Sequence, residues 1–396
     1  MKIALISLST PTFNNVRAAS ALPYHLIDGS KEHQFKIYSF DVNHVEKDEQ
    51  EKTKKALHVE LNILSRPKWI TRMFRFHLAF LRVFLKYPFS CYYNLPHHII
   101  KEIKRWNPDK IWIYGEELAG LAEHFYGIET TLTMPDCESM YYHRLLSKRF
   151  ATQELSQILR YSIAYYQYRS MEQNLWYKDV KYHFVGKADE EFYKEINPQA
   201  NAIFLPHPIY GYADKRTIRF HQPKIKILVA GRYDIYMQEA CDDAFQVFLD
   251  NKEFINHYEI TFLGKDWDNW CKQLKECGYN SQHVRFAPDY IEELVKHDIQ
   301  LSPISVGTGT KGKVLDAFAN GLMVIGTPFA LENIQVENGK TSVCYQTSKE
   351  LKQHLERIPS HIEEYEQMAE KGRENVLKYH DNKKIASQLF RLDQRS

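Results

Sequence analysis

The chain has 396 residues, 44% of them hydrophobic and 26% charged, with 52 Lys and Arg against 50 Asp and Glu. That length predicts two or three domains, and the near balance of charge excludes a whole-molecule field for nucleic acid. The six cysteines show neither C-x-x-C nor His/Cys ligand spacing, so neither a zinc site nor a disulfide framework is expected; with no signal segment or bilayer-length apolar run, the expected location is cytoplasmic.

Short β-branched and aromatic runs alternate with helical stretches, the pattern of βαβ units on parallel sheets. In the first half, strands are predicted at "KIALISL", "FKIYSF", "KIWIYG", "TTLTM", "YHFVG" and "AIFLP". Between the second and third of these, Arg66 to Tyr87 reads as one helix. Trp69, Met73, Phe76, Phe80 and Phe84 follow helical spacing on one side, Lys68, Arg72, Arg75, Arg82 and Lys86 take the other, and no acidic residue interrupts them. Such a basic, aromatic helix suits an anionic lipid surface; the alternative is a core-facing helix with a solvated face. Asp136 lies just beyond "TTLTM", where it is either a site residue at a strand end or a helix cap.

Past "PHPIYGYADKRTIRFHQP" the alternation restarts at "KIKILVAG" and continues through "YEITFLG", "VRFAP", "IQLSPI", "LMVIGT" and "SVCYQ". The expected organisation is a Rossmann-like domain over 1–207, a linker over 208–223, a second Rossmann-like domain over 224–375, and a terminal helix over 376–396 that can return to the first domain. "DWD", Asp266 to Asp268, reads as a solvated helix start rather than a metal-binding D-x-D.

The stretch "SVGTGTKGKVLDAFANG", Ser305 to Gly321, carries the chemistry. Gly307, Gly312 and Lys313 fit the spacing of a P-loop, but Val314 stands where the Mg²⁺-binding hydroxyl is needed, which argues against a nucleotide hydrolase. The other reading is a glycine-rich turn, with Gly307 and Gly309, opening a helix near Thr310. Its first N–H groups and dipole suit a diphosphate, Lys311 and Lys313 add charge, and Asp316 lies one turn further within reach of a ribose.

With the stretch that follows it, "GTGTKGKVLDAFANGLMVIGTPFALENI" resembles the donor-binding segment of family 4 glycosyltransferases of the GT-B fold. Gly307, Gly309, Lys311, Lys313, Leu315, Ala317, Ala319, Gly321, Val324, Thr327 and Glu332 fall on that pattern. Asp316 stands for the usual Glu, and Thr308 for the first Glu of the family's glutamate pair. "KIKILVAGRYD" is similar to the strand and loop that bring an Arg, here Arg232 after Gly231, to the donor diphosphate; Gln238 stands for a Lys that usually follows. Asn14 and Asn15 replace paired glycines of the first loop.

The resemblance implies an α/β GT-B fold, two Rossmann-like domains with parallel sheets facing a central cleft. It implies a retaining, metal-independent and cofactor-free transfer of a sugar from a nucleotide-diphosphate donor to a glycan or lipid-linked acceptor, in surface polysaccharide synthesis. Asp136, Arg232 and Lys313 are then the catalytic candidates. Asn14, Asn15, Gly231, Arg232, Gly307, Thr308, Gly309, Thr310, Lys311, Lys313 and Asp316 are the donor-binding ones, and the tyrosine-rich helix "RYSIAYYQYRSMEQNLWY" is core or the wall of an acceptor groove. If Thr308, Asp316 and Gln238 mark a decayed site, the chain is instead a non-catalytic GT-B subunit that binds a partner enzyme or glycan.

Overall fold

The computed structural model describes residues 1–13, 18–149, 154–212 and 217–391. It divides into two compact units, one formed by Met1–Pro208 with the residues from Asn382 onward, the other by Ile209–Asp381. Both are Rossmann-like, with sheets in which every described strand pair is parallel.

In the first unit the strands are β1 (Lys2–Ser7), β2 (Gln34–Ser39), β3 (Glu60–Ile63), β4 (Lys110–Tyr114), β5 (Glu129–Met134), β6 (Val180–Phe184) and β7 (Asn201–Phe204), in the order β3-β2-β1-β4-β5-β6-β7. The helices are α1 (Ala18–Asp28), α2 (Lys47–Leu57), α3 (Lys68–Arg75), α4 (His97–Trp106), α5 (Glu138–Arg149), α6 (Leu155–Asn174) and α7 (Lys187–Ile196). Central β1 is covered on both faces, so Ile3, Ala4, Leu5 and Ile6 are an unbroken apolar run with no exposure; Leu5 lies opposite Ile37 on one side and Trp112 on the other. Edge strand β3 was not expected from the sequence. In "ELNI" only Leu61 is buried, too little for a pattern.

The second unit has β8 (Ile225–Ala230), β9 (Tyr258–Leu263), β10 (Asn280–Val284), β11 (Ile299–Ser302), β12 (Met323–Gly326) and β13 (Val343–Cys344), in the order β10-β9-β8-β11-β12-β13. Its helices are α8 (Gln238–Asp250), α9 (Asp268–Glu276), α10 (Tyr290–Leu294), α11 (Gly312–Ala319), α12 (Pro328–Leu331), α13 (Ser348–Arg357) and α14 (Ile362–Tyr379). β10 precedes the expected "VRFAP", because polar "NSQHV" is an edge strand held mainly by its ladder to β9. Ile227, Val229, Ile260 and Phe262 pack against Phe245, Phe248 and Trp267 on one face of the sheet. Leu228 and Val324 pack with Val314, Leu315 and Phe318 of α11 on the other.

The last helix, α15 (Asn382–Phe390), belongs to the first unit. Its Phe390 sits edge-on to Trp112 at 4.9 Å and to Phe35 at 5.3 Å. Lys110, fully buried, pairs with Glu129 at 2.7 Å and donates to the carbonyls of Leu389 and Arg391.

Arg66 to Tyr87 is not one helix. α3 stops at Arg75 in a Schellman closure: His77 takes the left-handed conformation (φ 56°), Leu78 N donates to Met73 O at 2.8 Å, and His77 N donates to Phe74 O at 3.1 Å. A short 3-10 stretch, Ala79–Phe84, follows. The continuous spacing misled because His77 occupies a position that glycine usually marks.

Candidate functional site

Strands β8 and β11 are neighbours, yet the chain leaves β8 toward β9 and β10 on one side and leaves β11 toward β12 and β13 on the other. The loops beyond their carboxyl ends therefore flank a topological switch point, where open α/β sheets place ligands. Gly231 closes β8 with φ 147°, its carbonyl taking the Trp267 indole N–H at 2.9 Å. Arg232 comes next. Its Nε pairs with Asp266 Oδ2 at 2.6 Å, both residues being about half exposed or more. An ion pair this open is worth roughly 0–1 kcal/mol, so a phosphate can displace it at little cost.

The loop beyond β11 is tied to the one beyond β8. Ser305 N donates to Tyr236 O at 2.7 Å, and Ser305 Oγ accepts from Ala240 N at 2.9 Å. Gly309 has φ 60°, where a side chain would be strained. The helix opens two residues later than expected, with Lys311 at its N-cap and Gly312 and Lys313 as its first turn. Val314, at the position a P-loop gives to its metal-binding hydroxyl, is buried in the core.

The two lysines differ. Lys311 turns back on its own loop, Nζ donating to Thr308 O at 2.8 Å and to Gly309 O at 3.0 Å, and Asn333 donates to the same Gly309 carbonyl. It braces the turn rather than extending beyond it as a further charge for a diphosphate. Lys313 is exposed as a residue, yet its ammonium lies close enough to protein atoms that desolvation lowers its pKa, opposed by the Asp316 and Asp234 carboxylates. It stands 5.9 Å from the Tyr290 ring. Asp316 is buried on α11 and bears on both Lys313 and Tyr290.

The sheet thus brings Gly231, Arg232, Gly307, Thr308, Gly309, Thr310, Lys311, Lys313 and Asp316 to one end of the second unit. Gln238 is exposed at the start of α8. Two residues escaped the sequence. Asp234 lies within the quoted "AGRYD", and desolvation raises its pKa against the pull of Arg232 and Lys313. Tyr290 comes from the connection after β10, and its buried hydroxyl has no hydrogen-bond partner among the described residues, a placement no local pattern signals.

Asp136 belongs to the first unit, beyond the carboxyl end of β5, and Asn14 and Asn15 lie outside the described residues. Asp136 is one of a group of acids: Glu116 and Glu117 follow β4, Glu138 opens α5, and Glu172 comes from α6. Glu172 accepts from Ser139 N at 2.9 Å and from its hydroxyl, whereas neither oxygen of Glu116 has a hydrogen-bond partner among the described residues. Burial and then mutual repulsion hold Glu116 well above the usual carboxylate range and push Glu138 up to about 8. Beside them Tyr142 of α5 stacks on Tyr168 of α6 at 5.6 Å. Among the described residues no group of three or more His, Cys, Asp or Glu side chains is arranged to hold a metal ion, and no helix is long and apolar enough to cross a membrane.

Residues 245–391 match the family model described as glycosyl transferase-like. The crystal structure of HepE from Anabaena in complex with UDP is similar over 98% of both chains, at 11% identity and a TM-score of 0.64. A glycosyltransferase from Rickettsia africae is similar over 99% of both, at 12% identity and a TM-score of 0.65. WaaG, a glycosyltransferase involved in lipopolysaccharide biosynthesis, is similar over 98% of this chain and 100% of its own, at 12% identity and a TM-score of 0.60. No curated protein matches the chain by sequence. At such identities the likeness shows the fold, which is the two-unit GT-B fold.

Proposed function

We propose that the chain is a retaining glycosyltransferase that moves a sugar from a nucleotide-diphosphate donor to a glycan or lipid-linked acceptor in surface polysaccharide synthesis. One observation carries the reading: Arg232 and the amino end of α11, with Lys313 in its first turn, converge beyond β8 and β11 at the switch point of the second unit. Transfer breaks the anomeric C–O bond and leaves negative charge on the departing diphosphate. Arg232, the Lys313 ammonium and the first amides of α11 stabilise that charge without a metal. Lys311 keeps the turn in shape, and Asp316 accepts hydrogen bonds from the ribose hydroxyls.

Asp136 offers an acceptor for a hydroxyl of an incoming glycan, and the Tyr142–Tyr168 stack offers a flat apolar face for a sugar ring. The UDP and UDP-glucose complexes of Anabaena HepE make UDP the first nucleotide to test. The WaaG likeness supports the polysaccharide setting by analogy of fold.

Melting curves with UDP, GDP, CDP, ADP and ATP, each with and without Mg²⁺, test the reading. A selective rise with one nucleoside diphosphate is expected, independent of Mg²⁺ and lost in Lys313→Ala. At a hundred times the dissociation constant the gain is about 2.7 kcal/mol. A cooperative melt that no nucleotide shifts would leave the non-catalytic subunit, and a Mg²⁺-dependent rise with ATP alone would restore the P-loop.

A further inference from the structure

The stretch broken at His77 exposes an unusual density of large apolar side chains. Phe76 and Phe80 are each 63% exposed and Phe84 is 81% exposed, with Trp69, Phe74, Leu78, Leu81 and Val83 also in solvent. The segment is nonetheless tied to the first unit at both ends. Arg66 donates to the carbonyls of Phe40 and Asp41, and Ile70 is in the core. Trp69 and Phe74 meet Tyr92 and Phe89 edge-on, and Gln167 of α6 donates to Arg82 O at 2.9 Å and to Leu85 O at 2.8 Å. The backbone is held while the side chains between the anchors stay uncovered. On another side of α6 from Gln167, Leu155, Leu159 and Tyr166 are also exposed.

Charge selects what covers this surface. Residues 61–101 contain no Asp or Glu, and Lys68, Arg72, Arg75, Arg82 and Lys86 lie among the exposed aromatics. A second copy of the chain, docked symmetrically through this patch, would set five cations against five. An anionic bilayer surface satisfies both features, because its phosphates take the cations while the aromatic side chains enter the headgroup and acyl boundary.

We propose that residues 66–87 form a docking surface for anionic lipid membranes. The surface belongs to the first unit and the switch-point residues to the second, so the proposal holds whether or not the transferase reading does.

The test is co-sedimentation of the full chain with phosphatidylcholine vesicles and with vesicles containing roughly 30% phosphatidylglycerol, a composition giving the negative surface potential of anionic leaflets. Binding is expected to the anionic vesicles only and to weaken as salt is raised. Arg72→Gln with Arg75→Gln should lower partitioning about fivefold per charge removed. Phe80→Ser with Phe84→Ser should abolish it without lowering the melting temperature, because both rings are already exposed, and should leave any nucleotide-induced melting shift in place. Equal binding to neutral vesicles, or binding unchanged in both variants, overturns the proposal. So does sedimentation velocity showing a dimer that the Phe80/Phe84 variant dissolves.

Discussion

At the scale of single residues, the acids of the first unit make stability depend on pH. In the fold Glu116 stays protonated well above its usual range and Glu138 up to about 8, while the unfolded chain releases both protons near its ordinary carboxylate pKa. A raised folded pKa contributes stability that is complete below the unfolded value and is lost as pH rises through the folded one. The buried histidines act in the opposite sense: desolvation lowers His25 and His297 and brings His183 down to about 4, so they favour the fold as pH rises through their ordinary value. Above pH 7 they are neutral in both states, so the carboxyls set the slope. Stability is therefore expected to fall between pH 7 and 8, by about 1.4 kcal/mol per pH unit for each group still protonated in the fold. Glu116→Gln keeps the shape and removes the proton, so denaturant melts across that range should flatten. A slope unchanged in the variant would remove Glu116 from the account.

At the scale of elements, α15 closes the first unit. Phe390 fills the space beside Trp112 and Phe35, and Gly29 of the turn after α1 lies so close to Asn382 that a Cβ there would come within 2.8 Å of its carbonyl oxygen. Phe390→Ala should cost about 3–5 kcal/mol, read as a lower denaturant midpoint, because the cavity lies between a helix and a central strand and cannot collapse. A cost under 1 kcal/mol would mean that α15 is only loosely seated. In the second unit Gly372 of α14 plays a similar part, its absent side chain leaving room for Thr341 O and for Phe318 on α11.

At the scale of the whole molecule, the candidate donor residues lie in one compact unit and the acid group with Asp136 in the other. A ligand that binds a single unit stabilises that unit's unfolding step. Calorimetry is expected to show UDP, or whichever base proves selective, raising one transition and leaving the transition weakened by Phe390→Ala where it was. Equal shifts of all the heat absorption would show that the two units melt as one.

The sequence by itself determined the alternation of strand and helix, the two-unit plan, and the glycine-rich turn that opens a helix beyond β11. These rest on local features: apolar runs that must be buried on both faces, glycines where the backbone needs room, and a lysine and an arginine placed just beyond strand ends. Only the tertiary structure decided what depended on distant neighbours. Lys311 and Lys313 look alike in the sequence, but the turn's geometry bends one onto its own carbonyls and sets the other among Asp234, Asp316 and Tyr290. The break at His77 came from a Schellman closure without its usual glycine, and the helical spacing on either side concealed it. The carboxyl group around Glu116 assembles from residues up to 56 positions apart, Glu116 to Glu172. Burial and repulsion there are sums over space, and no window along the chain contains them.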